Sequence, residues 1–83
     1  MVTITKTLAV GSPGDSVSLG SDCYYIELYN EGANRAFINL AGTATEDDFA
    51  VDTGETLKVY TFVNTVYAIA ASGSATLQII ATK

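Results

Sequence analysis

The feature that most restricts this chain is a two-residue alternation of apolar and polar side chains, interrupted at roughly ten-residue intervals by turn-forming residues. It is clearest from Tyr24 to Leu40. Ile26 and Leu28 alternate with Tyr25, Glu27 and Tyr29, so a pleated strand sends the aliphatic side chains to one face and the mixed aromatic and polar set to the other. Further on, Ile38 and Leu40 share a face, with Phe37 and Asn39 opposite. Between the two runs lies Asn30-Glu31-Gly32-Ala33-Asn34, whose asparagines and glycine tolerate left-handed backbone angles. The expectation is a β-hairpin joining residues 24–29 to residues 35–40.

The rest of the chain follows the same grammar. Val2 and Ile4 alternate with Thr3 and Thr5 in a strand over residues 2–10, which Gly11-Ser-Pro-Gly-Asp15 ends in a turn around Pro13. Val17 and Leu19 mark a brief strand over residues 16–20. After Leu40 comes a small, polar stretch in which Thr45, with Asp48 three residues on, fits one helical turn capped at its start. Residues 49–51 form another strand. Asp52-Thr-Gly-Glu55 reads as a tight turn, with Gly54 supplying a positive φ and Asp52 bonding the backbone beyond it. Leu57, Val59 and Thr61 alternate with Lys58, Tyr60 and Phe62. Residues 62–71 also show helical spacing, but the β-branched Thr65, Val66 and Ile69, and the Ser72-Gly-Ser74 turn, favour a strand over residues 65–71 paired as a hairpin with residues 75–82. In that last strand Leu77, Ile79 and Ala81 alternate with Gln78, Ile80 and Thr82. The expected fold is all-β: a small antiparallel sandwich or jelly-roll-like barrel of about eight short strands.

At 83 residues the chain has room for a single domain over residues 1–83. A domain of this size buries only roughly 60 to 65% of its unfolded surface and is marginal unless something staples it. Cys23 is the single cysteine and there is no histidine, so an internal disulfide and the common zinc sets are excluded. Self-association remains. A hydrophobic fraction of 48% with only 16% charged residues is rich for so small a monomer, and an oligomer or a module docked on a larger body is expected.

Charge narrows the partners. Nine acidic residues face Lys6, Arg35, Lys58 and Lys83, for a net charge of −5. With the four cations scattered there is no basic run to follow a phosphate backbone, so no nucleic-acid partner is expected. An anionic membrane would repel the chain, no apolar run approaches the ~20 residues of a span, and residues 1–7 lack the pattern of a signal peptide, so a cytosolic origin is expected.

Tyr25, Tyr29, Phe37, Tyr60, Tyr67 and Ile80 all fall opposite the positions assigned to the core. An outer face so rich in large side chains is expected to pack on neighbouring copies, because tyrosine is apolar in body and polar at its tip. The alternative is a small barrel with some of these rings capping its ends.

No catalytic pattern emerges. Glu46, Asp47, Asp48, Asp52 and Glu55 are the oxygen donors that calcium takes, but they lack the spacing of a calcium loop, and solvated acidic loops are commonplace. A glycosidase needs a cleft between its carboxylates that short loops do not build. Cys23 has no histidine or adjacent lysine to lower its pKa and reads as a small buried apolar residue. Gly11 to Gly14 lacks the lysine and helix of a phosphate loop. Tyrosines could stack on sugars, although tryptophan is absent. The chain is expected to be non-enzymatic, with no cofactor and no metal.

The order Leu28-Tyr-Asn30-Glu-Gly32-Ala-Asn34-Arg-Ala-Phe37-Ile-Asn-Leu-Ala-Gly42-Thr-Ala44-Thr45, then Gly54-Glu55-Thr56-Leu57, then Val66-Tyr-Ala-Ile69-Ala-Ala-Ser72-Gly73-Ser-Ala75-Thr76-Leu77, resembles a pattern in small virion proteins of tailed bacteriophages. The resemblance spans Leu28 to Leu77. It implies a β-sandwich or jelly-roll-like subunit of the virion, assembled in the host cytoplasm, that decorates and cements the outer head. The implied partners are the major capsid protein and the protein itself, as a homotrimer. A tail or fibre module, or a small carbohydrate-binding domain, is the alternative. The departure lies at the N-terminus, where residues 1–10 read as a strand rather than as the extended arm common among decoration proteins.

Overall fold

The computed structural model describes residues 2–11 and 14–83, which are all-β with no helix among them. The expected turn at Pro13 lies outside the described residues. Six strands make one antiparallel sheet: β1 (Thr3–Val10), β2 (Asp15–Asn30), β3 (Ala36–Asn39), β4 (Phe49–Val51), β5 (Thr56–Ala70) and β6 (Ala75–Thr82), in the order β1-β6-β2-β5-β3-β4.

Six strands replace the expected eight because two pairs run together. Residues 16–20 and 24–29 are both parts of β2, and residues 57–62 together with all but the last residue of the expected 65–71 strand fall in β5. Gly20 stands at φ +80°, which lets β2 bend where a residue with a Cβ would be strained. Pairing between β2 and β5 jumps there, from Ser18 opposite Thr65 to Cys23 opposite Val63, five steps along β2 against two along β5. It slips again before Tyr25 opposite Tyr60, two steps against three. Bulges of this kind sharpen twist and bend a sheet, and here they fold it over. Both long strands thereby serve two layers. One layer holds β1, β6, the end of β2 and the start of β5; the other holds the start of β2, the end of β5, β3 and β4. Overall extents of 36 × 23 × 17 Å suit two such layers, whose usual separation is ~10 Å.

Neither expected hairpin forms. β2 pairs with β5 and β6, and β3 with β4 and β5, so residues 24–29 never pair with 35–40. The 30–35 segment instead carries the chain from one layer to the other. Likewise β6 pairs with β1 and β2 rather than with β5. Its inward residues Ala75, Leu77, Ile79 and Ala81 are all buried, which suits a strand flanked on both sides rather than the edge of a hairpin. These join Leu8, Val10, Ile26, Leu28, Ile38, Val51, Val63 and Val66 in one continuous core.

Asn30 closes one end of this core. It is fully buried, donating its side-chain amide to the carbonyls of Asn34 at 2.8 Å and Val51 at 2.9 Å while its Oδ1 accepts from the Gly32 N–H at 2.9 Å. Its backbone N–H and C=O engage Glu55 and Gly54. No described residue other than glycine has a positive φ, so neither asparagine uses the left-handed region expected of it. Gly32 has no positive φ either; it is glycine because a Cβ there would stand 2.5 Å from the backbone N of Thr76.

Candidate functional site

The six side chains expected on an outer surface divide between two faces. Tyr25, Tyr29, Tyr60 and Ile80 share the outer face of the layer built from β1, β6, β2 and β5. Across it run Thr3, Thr82, Tyr25 and Tyr60, then Thr5, Ile80, Glu27 and Lys58, then Thr7, Gln78, Tyr29 and Thr56. Phe37 and Tyr67 belong to the opposite layer, half-buried, Phe37 between Ala50 and Ile69 and Tyr67 between Ser16 and Asn39. No single platform collects all six. The change of face follows from the bend in β5, which carries Tyr60 on one layer and Tyr67 on the other.

On the first face Tyr25 and Tyr60 stack, their ring centres 4.4 Å apart and their planes inclined at 35°. Partial desolvation holds the Tyr25 phenol above its ordinary pKa, helped by the nearby Glu27 carboxylate and by Tyr60. Tyr60 is nevertheless 82% exposed, and Phe62, two residues on, is 84% exposed. Lys58 and Glu27 lie 3.8 Å apart as an ion pair, and Thr7 and Gln78 hydrogen-bond across the strands at 3.1 Å.

Three exposed rings lay outside the expected set. Phe62 follows Lys58 and Tyr60 in the same alternation, so its outward position was legible. Tyr24 is turned out by the slip in pairing between Cys23 and Tyr25, which no local pattern announces. Phe49 is 64% exposed at the start of the short edge strand β4. Phe62 also lines an open groove of about 350 Å³ with Asp22, Leu40, Ala41, Val63 and Asn64, where the Asn64 side chain donates to Asp22 at 3.1 Å.

Most of the acidic loop is spent on the fold. Asp48 accepts from the Thr45 N–H at 2.7 Å and from the Asn39 amide at 3.2 Å, while its own N–H donates to the Thr45 carbonyl. The helical turn expected to start at Thr45 is an isolated turn instead, held by these bonds and by the Asp47 N–H donating to the Thr45 hydroxyl at 3.3 Å. Gly54 has the expected positive φ, +83°. Asp52 bonds the backbone beyond it through its carbonyl, which accepts from the Glu55 N–H at 2.9 Å, while its carboxylate pairs with the Arg35 guanidinium, which raises the Arg35 pKa, and the Glu55 carboxylate accepts from the Asp52 N–H. Among the described residues no group of three or more acidic or sulfur side chains converges on a cation site. Cys23 is buried, its thiol directed at the Ser21 carbonyl 3.7 Å away.

The arrangement presents an exposed aromatic face on a twisted, bulged sheet. Comparison with known protein families finds no matching family model, and comparison with curated proteins finds no match.

Proposed function

We propose that this chain is a non-enzymatic structural protein that adheres to a larger assembly through the outer face of β1, β6, β2 and β5. The setting implied by the sequence resemblance is the phage virion, with the head surface as the adhering partner and decoration of the capsid as the task. The observation that carries the reading is the stacked Tyr25–Tyr60 pair continuing into Phe62, aromatic surface left in solvent on a sheet whose other side is packed into the core. Large exposed apolar groups clustered on one face mark interaction sites, and tyrosine suits interfaces that form from soluble parts. A homotrimer fits the same proposal, since a capsid presents its binding sites in symmetric sets.

The test is reconstitution on purified heads from a phage whose genome encodes the chain. The wild-type protein should saturate the particles and raise their resistance to heat. Tyr60→Ser combined with Phe62→Ser should fold normally and lose at least about tenfold in occupancy. Undiminished binding by the double variant, or none by the wild type, ends the proposal.

A second reading is favoured by one feature, the groove in which Phe62 stands beside the hydrogen-bonded Asp22 and Asn64. An aromatic face next to a carboxylate and an amide can take a sugar ring. Glycan binding lost on Asp22→Ala and retained on Tyr25→Ala would move the function to that groove.

A further inference from the structure

Among the described residues the sheet has two free edges, β1 and β4. Val2 and Lys83 exchange both backbone hydrogen bonds, at 3.0 and 2.9 Å, and this sets the parity of the β1–β6 ladder. Val2, Ile4, Lys6, Leu8 and Val10 direct their N–H and C=O groups at β6, whereas Thr3, Thr5, Thr7 and Ala9 direct theirs at the open side. Eight consecutive pairs, from Thr3 opposite Thr82 to Val10 opposite Ala75, run without a bulge. The carbonyl of Gly11, next in the open parity, accepts from the Ala70 N–H at 3.1 Å, so the open run stops there. Domains that live alone guard such an edge with proline, bulges, charge or shortness. β1 has Lys6 and nothing else.

Charge says what the edge meets. All nine acidic residues lie between Asp15 and Glu55, so β1 and β6 contain none, and the first edge carries Lys6, with Lys83 following β6. The second edge is the reverse. β4 is preceded by Glu46, Asp47 and Asp48 and followed by Asp52 and Glu55. Among the described residues Arg35 forms an ion pair with Asp52 alone of these, and its charge also acts on Glu55. Phe49 stands exposed on this same edge strand, an apolar ring that an added strand would cover.

We infer that copies of this chain join head to tail, the basic β1 edge of one adding to the acidic β4 edge of the next. Two β1 edges would bring like charges together, whereas β1 on β4 sets Lys6 against carboxylates and pairs the short β4 edge with part of the open run of β1. Such a heterologous contact closes into a ring or continues as a filament. It stands apart from the adhesive role proposed above, because it uses the edges and leaves the Tyr25–Tyr60 face free.

Two edge-blocked variants test it by light scattering. Thr5→Pro removes an open-side N–H donor and no β1–β6 bond, so it should keep the wild-type circular dichroism and lose an edge to which a strand can add. Phe49→Lys places a cation on the other edge. The wild type should be oligomeric at micromolar concentration, each variant alone monomeric, and an equimolar mixture of the two a one-to-one dimer, since each retains the edge the other lacks. Lys6→Glu, which does not touch the ladder, should weaken wild-type association about tenfold, and raising salt from about 0.05 to about 0.5 M should do likewise. A monomeric wild type, an oligomeric Thr5→Pro, or a Phe49→Lys that dimerises by itself would each overturn the inference. Binding of phage heads is not scored in any arm, so failure here is separable from failure of the adhesive face.

Discussion

The side-chain amide of Asn30 donates to the backbone carbonyl of Val51 at 2.9 Å, tying the end of β2 to a strand three places away in the sheet. The same amide holds Asn34, and Asn34 in turn donates to the Ser74 carbonyl at 2.7 Å. Two asparagines thus fasten three loops, residues 30–35, 52–55 and 71–74, over one end of the core. A chain without an internal disulfide stabilises its layer crossing with buried amide hydrogen bonds instead.

Replacing Asn30 by alanine leaves the buried Val51 carbonyl and the partly buried Asn34 carbonyl and Gly32 N–H without their side-chain partner. Buried groups orphaned in this way cost ~1–3 kcal/mol each before relaxation, so Asn30→Ala should lower stability by about 2–4 kcal/mol in urea denaturation. Asn30→Asp should fare no better at neutral pH, because a carboxylate cannot donate to the Val51 and Asn34 carbonyls. A loss below about 0.5 kcal/mol would show that the loops hold without it.

Gly32 and Gly42 make a matched pair. A Cβ on Gly32 meets backbone atoms of Ala75 and Thr76 at 2.5 to 2.9 Å, whereas one on Gly42 meets nothing within 4 Å, and neither residue has a positive φ. Gly32→Ala must displace main chain and should cost about 1–3 kcal/mol, a fall in Tm of roughly 5–20 °C for a domain this small. Gly42→Ala should melt within about 3 °C of the wild type. Equal melting temperatures for the two variants would contradict the close approach at Gly32.

The contrast between these glycines also shows what is legible in a sequence and what is not. Facing is local, and it could be read: Ile26 and Leu28 point inward, as do Leu77, Ile79 and Ala81, while Tyr25, Tyr60 and Ile80 point outward. Pairing is not local. Asn30 to Asn34 carries every mark of a hairpin turn, yet the chain beyond it crosses to the other layer, because Val51 and Thr76, both far along the sequence, supply the hydrogen-bond partners of this segment. Gly20 reads as a strand ending and is in fact the point where β2 continues around a corner. The candidate face was legible to the same degree. Its tyrosines were identifiable singly, but their separation onto two layers depends on that corner, and Tyr24 is exposed only because pairing slips beside it.

The Tyr25 phenol should titrate above the ordinary value for tyrosine. Its pKa is raised in the folded chain, so the folded state keeps this proton at a pH where the unfolded state, with the ordinary value of 10.0, has released it. The stabilisation is whole below that value and is lost as pH climbs through the folded one. Ultraviolet titration should show one late phenol that Tyr25→Phe removes, and the wild type should lose more stability than Tyr25→Phe above pH 10.0. Superimposable alkaline titrations, after allowance for one fewer phenol, would show that the Tyr60 ring and Glu27 leave the group in ordinary solvent.

Cys23 reports on the corner itself. It sits between the two slips in pairing, opposite Val63, with no exposed surface. A thiol reagent therefore reaches it only when β2 and β5 separate there. If that opening requires the whole sheet to come apart, the labelling rate follows global stability, and native protein should react at least about a hundredfold more slowly than protein in denaturant. If the bulges let the corner open by itself, labelling outruns global unfolding while remaining insensitive to low concentrations of urea, since little surface is exposed. The continuous burial of Leu19, Cys23, Val63 and Val66 through the bend favours the first behaviour. Asn30→Ala supplies the control, because it loosens the far end of the core: the labelling rate of Cys23 should rise by the factor that its loss of global stability demands, and a rate that does not move would place the corner in a separate cooperative unit.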